Sequence, residues 1–212
     1  MSGVPFGTFV AEQWRNLPRL ATTETCSGRT YIVTGANQGL GFETAKQLVV
    51  LGAAKVIIAV RNNRAGETAK AEIEAATKRR NVVEVWPLGL SSYESVKAFA
   101  KMASEKLDRI DGLIENAGIA LDSPDSWTAV EGHETSITVN VLSTVLLAVL
   151  LLPRMIESAQ RFKTLPHIAI VTSEVAFMAQ AELDKVKDDP LKRAKDQKLA
   201  DMSLRYGPTT DR

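Results

Sequence analysis

Cysteine is almost absent from this chain. Cys26 is alone among 212 residues, so no internal disulfide can form. Histidine is nearly as scarce, and His133 and His167 offer no cluster with the spacing of metal ligands, so no metal site is expected. Charge of one sign is missing too: 26 basic against 25 acidic residues leave a formal charge of +1 and no field to gather a polyanion. Nucleic acid is therefore not an expected partner. The longest apolar run, Val141–Leu152, falls short of the roughly 20 residues that cross a bilayer, holds Ser143 and Thr144, and stops at Pro153. It reads as a buried helix, and no membrane association is expected. The first residues lack the basic start and continuous apolar stretch of a signal peptide; Phe6, Phe9, Val10, Trp14 and Leu17 suit one face of a short packing helix. An intracellular, reducing compartment, the cytoplasm, follows as the expectation.

What is present is an alternation. Five short β-branched runs, Thr30–Thr34, Lys55–Val60, Val82–Trp86, Gly112–Glu115 and His167–Thr172, are separated by segments of helical periodicity. Phe42, Ala45, Leu48 and Val49 recur at helical spacing before a stop at Gly52. Ala69, Ile73 and Ala76 form the inward face of a helix from about Ala65 to Arg80. Ser91-Ser92-Tyr93-Glu94 reads as a capping box opening a third helix that buries Val96, Phe99 and Leu107. Strands alternating with helices predict βαβ units and an α/β fold with a doubly wound parallel sheet. A hydrophobic fraction of 45% in a chain of this length suits one domain with a sizeable core.

Between the first run and the first helix stands Thr34-Gly35-Ala36-Asn37-Gln38-Gly39-Leu40-Gly41. Backbone N–H groups and the helix dipole at such a turn can hold a pyrophosphate. Gly35 permits the tight turn, Gly39 lets the main chain approach a cofactor, and Gly41 allows the helix to pack closely. Gly35, Asn37, Gly39, Leu40 and Gly41 are the expected cofactor contacts, against the plain alternative of a glycine-rich turn that binds nothing. The second strand ends in Ala59-Val60-Arg61-Asn62, without the carboxylate that would read a ribose 2′-hydroxyl. Arg61 suits a 2′-phosphate instead, so NADP is the expected cofactor; the plain reading is that Arg61 only solvates the strand end.

Four spaced elements together resemble the short-chain dehydrogenase/reductase family. The turn at residues 34–41 is similar to the family's Thr-Gly-x-x-x-Gly-x-Gly. Glu115-Asn116-Ala117-Gly118 resembles its Asn-Asn-Ala-Gly, which places Asn116 beside the cofactor. Val139-Asn140-Val141 resembles the helix start that carries the family's Asn, and Ile170-Val171-Thr172-Ser173 resembles the strand end that carries its Ser. The stretches Trp86–Val96 and Glu131–Leu152 are most similar to short-chain reductases of fungal secondary metabolism. The resemblance implies hydride transfer between a nicotinamide and a small-molecule carbonyl or alcohol. It also implies Ser173 as donor to the substrate oxygen, Tyr206 as proton carrier and Asn140 as holder of the relay water. The implied layout is an N-terminal arm (1–29), a Rossmann-like dinucleotide-binding domain (30–180), and a charged helical insert with an incomplete catalytic Tyr segment (181–212).

The sequence also departs from the family's pattern. Gly89 stands where the family has an Asp at the adenine ring, and Thr210 stands where its Tyr-x-x-x-Lys has the Lys. The family's sixth and seventh strands are expected beyond residue 212, which would leave the fifth strand as an open edge. Two other readings stay open. One is a catalytically inactive nucleotide-binding or partner-binding remnant; the other is a subunit that pairs with a second copy through the Val141–Leu152 helix.

Overall fold

The computed structural model of the chain describes residues 21–120 and 128–173, and singly Gly7, Thr8, Ala11, Trp14, Arg15, Pro18, Asp188 and Leu191. It divides into two compact units, residues 21–171 and residues 1–20 with 172–212. In the second unit Trp14, expected on a packing face, is 88% exposed; Phe6, Phe9, Val10 and Leu17 lie outside the described residues.

The first unit holds five parallel strands: β1 (Thr30–Thr34), β2 (Lys55–Val60), β3 (Val83–Pro87), β4 (Gly112–Glu115) and, last in the chain, β7 (His167–Ile170). Their order is β3-β2-β1-β4-β7. The chain winds outward from β1 through β2 to β3, then crosses to β4 on the other side, so the topological switch point lies between β1 and β4. β1 is buried at every position and β2 at all but its first. That is why both read as continuous apolar runs rather than alternating ones.

Each sheet face is covered by a pair of helices. Tyr31, Val33, Val56 and Ile58 pack under α2 (Gly39–Val50) and α3 (Asn63–Thr77). Ile32, Ile57 and Leu113 pack under α4 (Tyr93–Lys106) and α6 (Thr144–Phe162). A short α1 (Thr23–Cys26) precedes β1, with Thr22 and Thr25 capping each other.

Several boundaries differ from the sequence expectation, each for a local reason. α3 starts at Asn63 because the Asn62 side chain accepts the Ala65 N–H, and it ends at Lys78 in the left-handed region. Ala76 falls on the exposed side. α4 is capped by Ser92, which accepts Ser95 N–H; the third helical residue is Ser95, not a Glu, so there is no capping box, and Ser95 Oγ accepts Gly89 N–H instead. Strand pairing of β7 stops at Ile170, and the strand is exposed along its length as the sheet's edge among the described residues.

The largest correction concerns the apolar helix. It is continuous over 28 residues, Thr135–Phe162, long and apolar enough by length and composition to cross a membrane. Leu147, Leu151 and Met155 nevertheless lie in the core beneath α4, the position of a core helix. It is not buried all round: Val141, Val145, Val149, Leu152 and Ile156 form an exposed stripe at helical spacing. Nor does it stop at Pro153. The proline lies inside α6, and Val149, the residue whose carbonyl it deprives of a partner, is on the exposed side. Ahead of α6 come a hairpin, β5 (Ala129–Val130) with β6 (His133–Glu134), turning through Glu131 and Gly132 at positive φ; α5 (Thr135–Ile137); and a π-helical turn (Thr138–Ser143).

At the opposite end of the sheet from the Gly35 turn, the fully buried Asp111 carboxylate binds Arg109, Thr30 N–H at 2.9 Å and Thr164 Oγ1 at 3.2 Å. Its carbonyl accepts His167 N–H, so one residue fixes the starts of β1, β4 and β7. Asp111→Ala strands a guanidinium and a backbone donor, and is expected to cost about 3–5 kcal/mol. Urea denaturation with an unchanged m-value checks this; a loss below about 1 kcal/mol would show that Asp111 does not hold the strands together.

Candidate functional site

The C-terminal ends of β1 and β4 meet at the switch point, and a threonine joins them. Thr34 Oγ1 accepts the N–H groups of Asn116 and Ala117, each at 3.0 Å. Asn116 Nδ2 donates in return to the carbonyls of Thr34 at 3.1 Å and Gly35 at 3.5 Å. The clasp leaves no space for side chains on the turn. A Cβ on Gly35, whose φ is +66°, would meet Ala117 Cα at 2.9 Å; a Cβ on Gly41 would meet Asn116 Nδ2 at 2.5 Å and the Gly35 carbonyl oxygen at 2.8 Å. Gly41 thus serves the approach of the helix to the turn and to Asn116, more than to the sheet itself.

The turn delivers the chain into α2 without a cap. Thr22, Asn62, Ser92 and Glu134 accept first-turn N–H groups at the starts of α1, α3, α4 and α5, whereas Gln38 at α2 makes no such bond. Gly39 and Leu40 are exposed there. Their N–H groups and the positive end of a 12-residue helix are left open to an anion. Asn37 is half-buried within the turn. Arg61 is exposed just beyond β2 and makes no ion pair among the described residues, while its neighbour Asn62 is spent on α3. Gly89 follows β3 with room for a Cβ, the nearest atom being Ser95 Oγ at 3.5 Å.

Asn140 lies within the π-helical turn, not at a helix start; the start is Thr135, capped by Glu134. Both ends of its amide are engaged by one residue: Nδ2 donates to the Ile119 carbonyl and Oδ1 accepts Ile119 N–H, each at 2.8 Å. The side chain therefore positions the segment after Asn116, with Gly118 close beneath it. Two hydroxyls settle the π-helical geometry, Thr144 Oγ1 donating to the Val139 carbonyl and Thr138 Oγ1 to those of Val130 and Glu134. The first unit thus brings together Gly35, Gly39, Gly41, Asn116 and Asn140. Ser173 is exposed and belongs to the second unit. Tyr206 and Thr210 lie outside the described residues.

One residue of the site was not singled out from the sequence. Glu115, the last residue of β4, is 2% exposed and neither carboxyl oxygen has a hydrogen-bond partner among the described residues. Burial pushes its pKa up to about 8, so it carries a proton at neutral pH. The available signal was an acid closing an otherwise apolar strand, next to the Asn that the motif made conspicuous.

A family model described as short chain dehydrogenase matches residues 29–183. The short chain dehydrogenase/reductase dmxR8 of Cryptosporiopsis sp. is 46% identical over 170 residues, covering 80% of this chain and 51% of that protein. The short chain dehydrogenase atnD of Emericella nidulans is 38% identical over 203 residues, covering 93% of this chain and 62% of that protein. The chain thus spans between half and two thirds of the length of these relatives. Among solved structures, a metagenomic short-chain oxidoreductase in complex with NADP superposes with a TM-score of 0.57 at 24% identity, covering 77% of this chain and 79% of that one.

The buried acid gives a pH signature. Between pH 4.5 and about 8 the folded chain holds a proton that the unfolded chain has released, so this group lowers stability as pH rises through that window and adds no slope above it. Glu115→Gln removes the slope. It is expected to match the parent near pH 5 and to exceed it at pH 8 by a few kcal/mol, on the scale of about 1.4 kcal/mol per pKa unit. Denaturant titrations at the two pH values check this, and equal stability at pH 8 would mean that Glu115 is ionised in the fold.

Proposed function

The chain belongs to the short-chain dehydrogenase/reductase family, and from that premise we propose that it binds NADP and exchanges hydride with a small-molecule carbonyl or alcohol of secondary metabolism. The observation that carries the reading is the cradle at the switch point, where Gly35 and Gly41 exclude side chains and α2 presents uncapped N–H groups. Those groups suit a pyrophosphate in size and sign. Bound there, a nicotinamide nucleotide supplies or takes up the hydride. The chain's own residues do the rest: Gly39, Leu40 and Gly41 hold phosphate, Asn116 and Asn140 fix the wall beside it, and Arg61 faces the 2′-phosphate. Ser173 donates to the substrate oxygen and Tyr206 carries the proton.

Arg61 supports NADP over NAD, since it is exposed at the end of β2, makes no ion pair among the described residues, and no carboxylate occupies residues 59–62. Thr210 favours a second reading, a nucleotide-binding chain of little or no catalytic power, because threonine offers no ammonium to lower the Tyr206 pKa from its ordinary value of about 10.

NADPH is expected to bind more tightly than NADH, and Arg61→Ala to weaken NADPH alone by about 1–3 kcal/mol. Fluorescence titration of both nucleotides checks it; equal affinities would remove Arg61 as the reader of the phosphate. NADPH consumption with a panel of aldehydes and ketones is expected to be slow, less impaired than alcohol oxidation, and lost in Tyr206→Phe. Turnover that survives Tyr206→Phe would remove Tyr206 as proton donor.

A further inference from the structure

Among the described residues, two side chains of fully buried residues in the first unit, Glu115 and Ser143, have no hydrogen-bond partner, and both face one layer. Neither carboxyl oxygen of Glu115 has a partner, and Ser143 Oγ, on a residue with no exposure, has none either. Leu113, two residues before Glu115 on β4, belongs to the apolar cluster between the sheet and helices α4 and α6; strand alternation puts Glu115 on the same face. Val139 and Leu147, four residues either side of Ser143, belong to that cluster too, so helical spacing puts Ser143 between them. The hydroxyls of Thr138 and Thr144 beside it are satisfied by backbone carbonyls of the helix or of the β5–β6 hairpin. Ser143 is left to seek a partner outside its own helix.

The two groups are chemically complementary. A protonated carboxyl both donates and accepts, as does a hydroxyl, so one water held between them can bond to both. Their sequence neighbours are the two asparagines of the site. Glu115 is followed by Asn116, bound to the Gly35 turn, and Ser143 follows three residues after Asn140, bound to Ile119.

We propose that the Glu115 carboxyl and the Ser143 hydroxyl form a buried latch, joined through one internal water. The latch fixes the π-helical turn against the end of β4 and so sets the spacing between Asn116 and Asn140. Both are positioning residues. The effect on nucleotide affinity rests on the function proposed above; the latch itself does not.

The test is a double-mutant cycle on the 212-residue chain with Ser143→Ala, Glu115→Leu and their combination, plus Glu115→Gln as the variant that keeps a donor and an acceptor. Melting at pH 5 keeps ionisation of the unfolded chain small. Each single change is expected to lower Tm by roughly 2–5 °C, the pair to lose less than the sum, and Glu115→Gln to stay within about 2 °C of the parent. NADPH titration at pH 7 is expected to show Kd raised roughly 3- to 10-fold in the singles and restored in Glu115→Gln. Strictly additive effects would overturn the latch. So would a Tm that rises in Ser143→Ala, the outcome for a hydroxyl merely stranded in an apolar layer, and this sign decides even if Glu115→Leu does not fold. Coupled melting with unchanged Kd would overturn the positioning role. A parent chain that binds no NADPH would count against the proposed function, while the melting cycle still judges the latch.

Discussion

The Thr34 hydroxyl, wholly buried, takes two backbone N–H groups from residues 82 and 83 positions further on. A hydroxyl has two acceptor lone pairs, and here both are used on one short segment. The end of β4 is thereby drawn against the end of β1, and the rest of the site follows from that distance. Gly35 has no space for a Cβ because Ala117 is held against it. Gly41 has none because Asn116 reaches across to the Gly35 carbonyl. α2 begins four residues after Gly35 without a side-chain cap, since Gln38 makes no bond back.

The same logic extends to α6. Asn140 grips Ile119 at both ends, so the segment from Asn116 to Ile119 is held by β1 on one side and by the π-helical turn on the other. The turn that carries Asn140 is π-helical, a form found mostly as single turns within α-helices and often at functional sites. The sheet's far end is held independently by Asp111, which gathers three strand starts. The scaffold is pinned at one end by a buried ion pair, and the site is assembled at the other by neutral hydrogen bonds.

The strands and the turn were legible in the sequence because both depend on local chemistry. β-branched runs buried on two faces are continuous, and three glycines before a helix have few other uses. Helix limits were less legible, since they depend on which residue leaves the helical backbone first. Ser92 takes that role although Ser91 stood in the motif too, and Asn62 does so three residues ahead of the expected start at Ala65. Ala76 fits inside or outside equally well, so spacing alone misplaced it. Pro153 was read as a stop, yet the helix runs through it, with Leu151 and Met155 on either side packed in the core against α4. Glu115 was hidden for another reason: its lack of a partner is a fact of three dimensions, and nothing in the order of residues announces it.

The separation of 82 residues across the Thr34–Asn116 contact also governs how the chain reaches this form. α2, α3 and α4 and the pairing of β1 with β2 close over short stretches of chain, while the β1–β4 contact must wait for a long loop to be drawn in, at an entropic cost that local contacts avoid. The cradle therefore exists only once that long loop has closed. A ligand that needs the finished cradle has nothing to hold in the half-folded chain, so it stabilises only the completed fold.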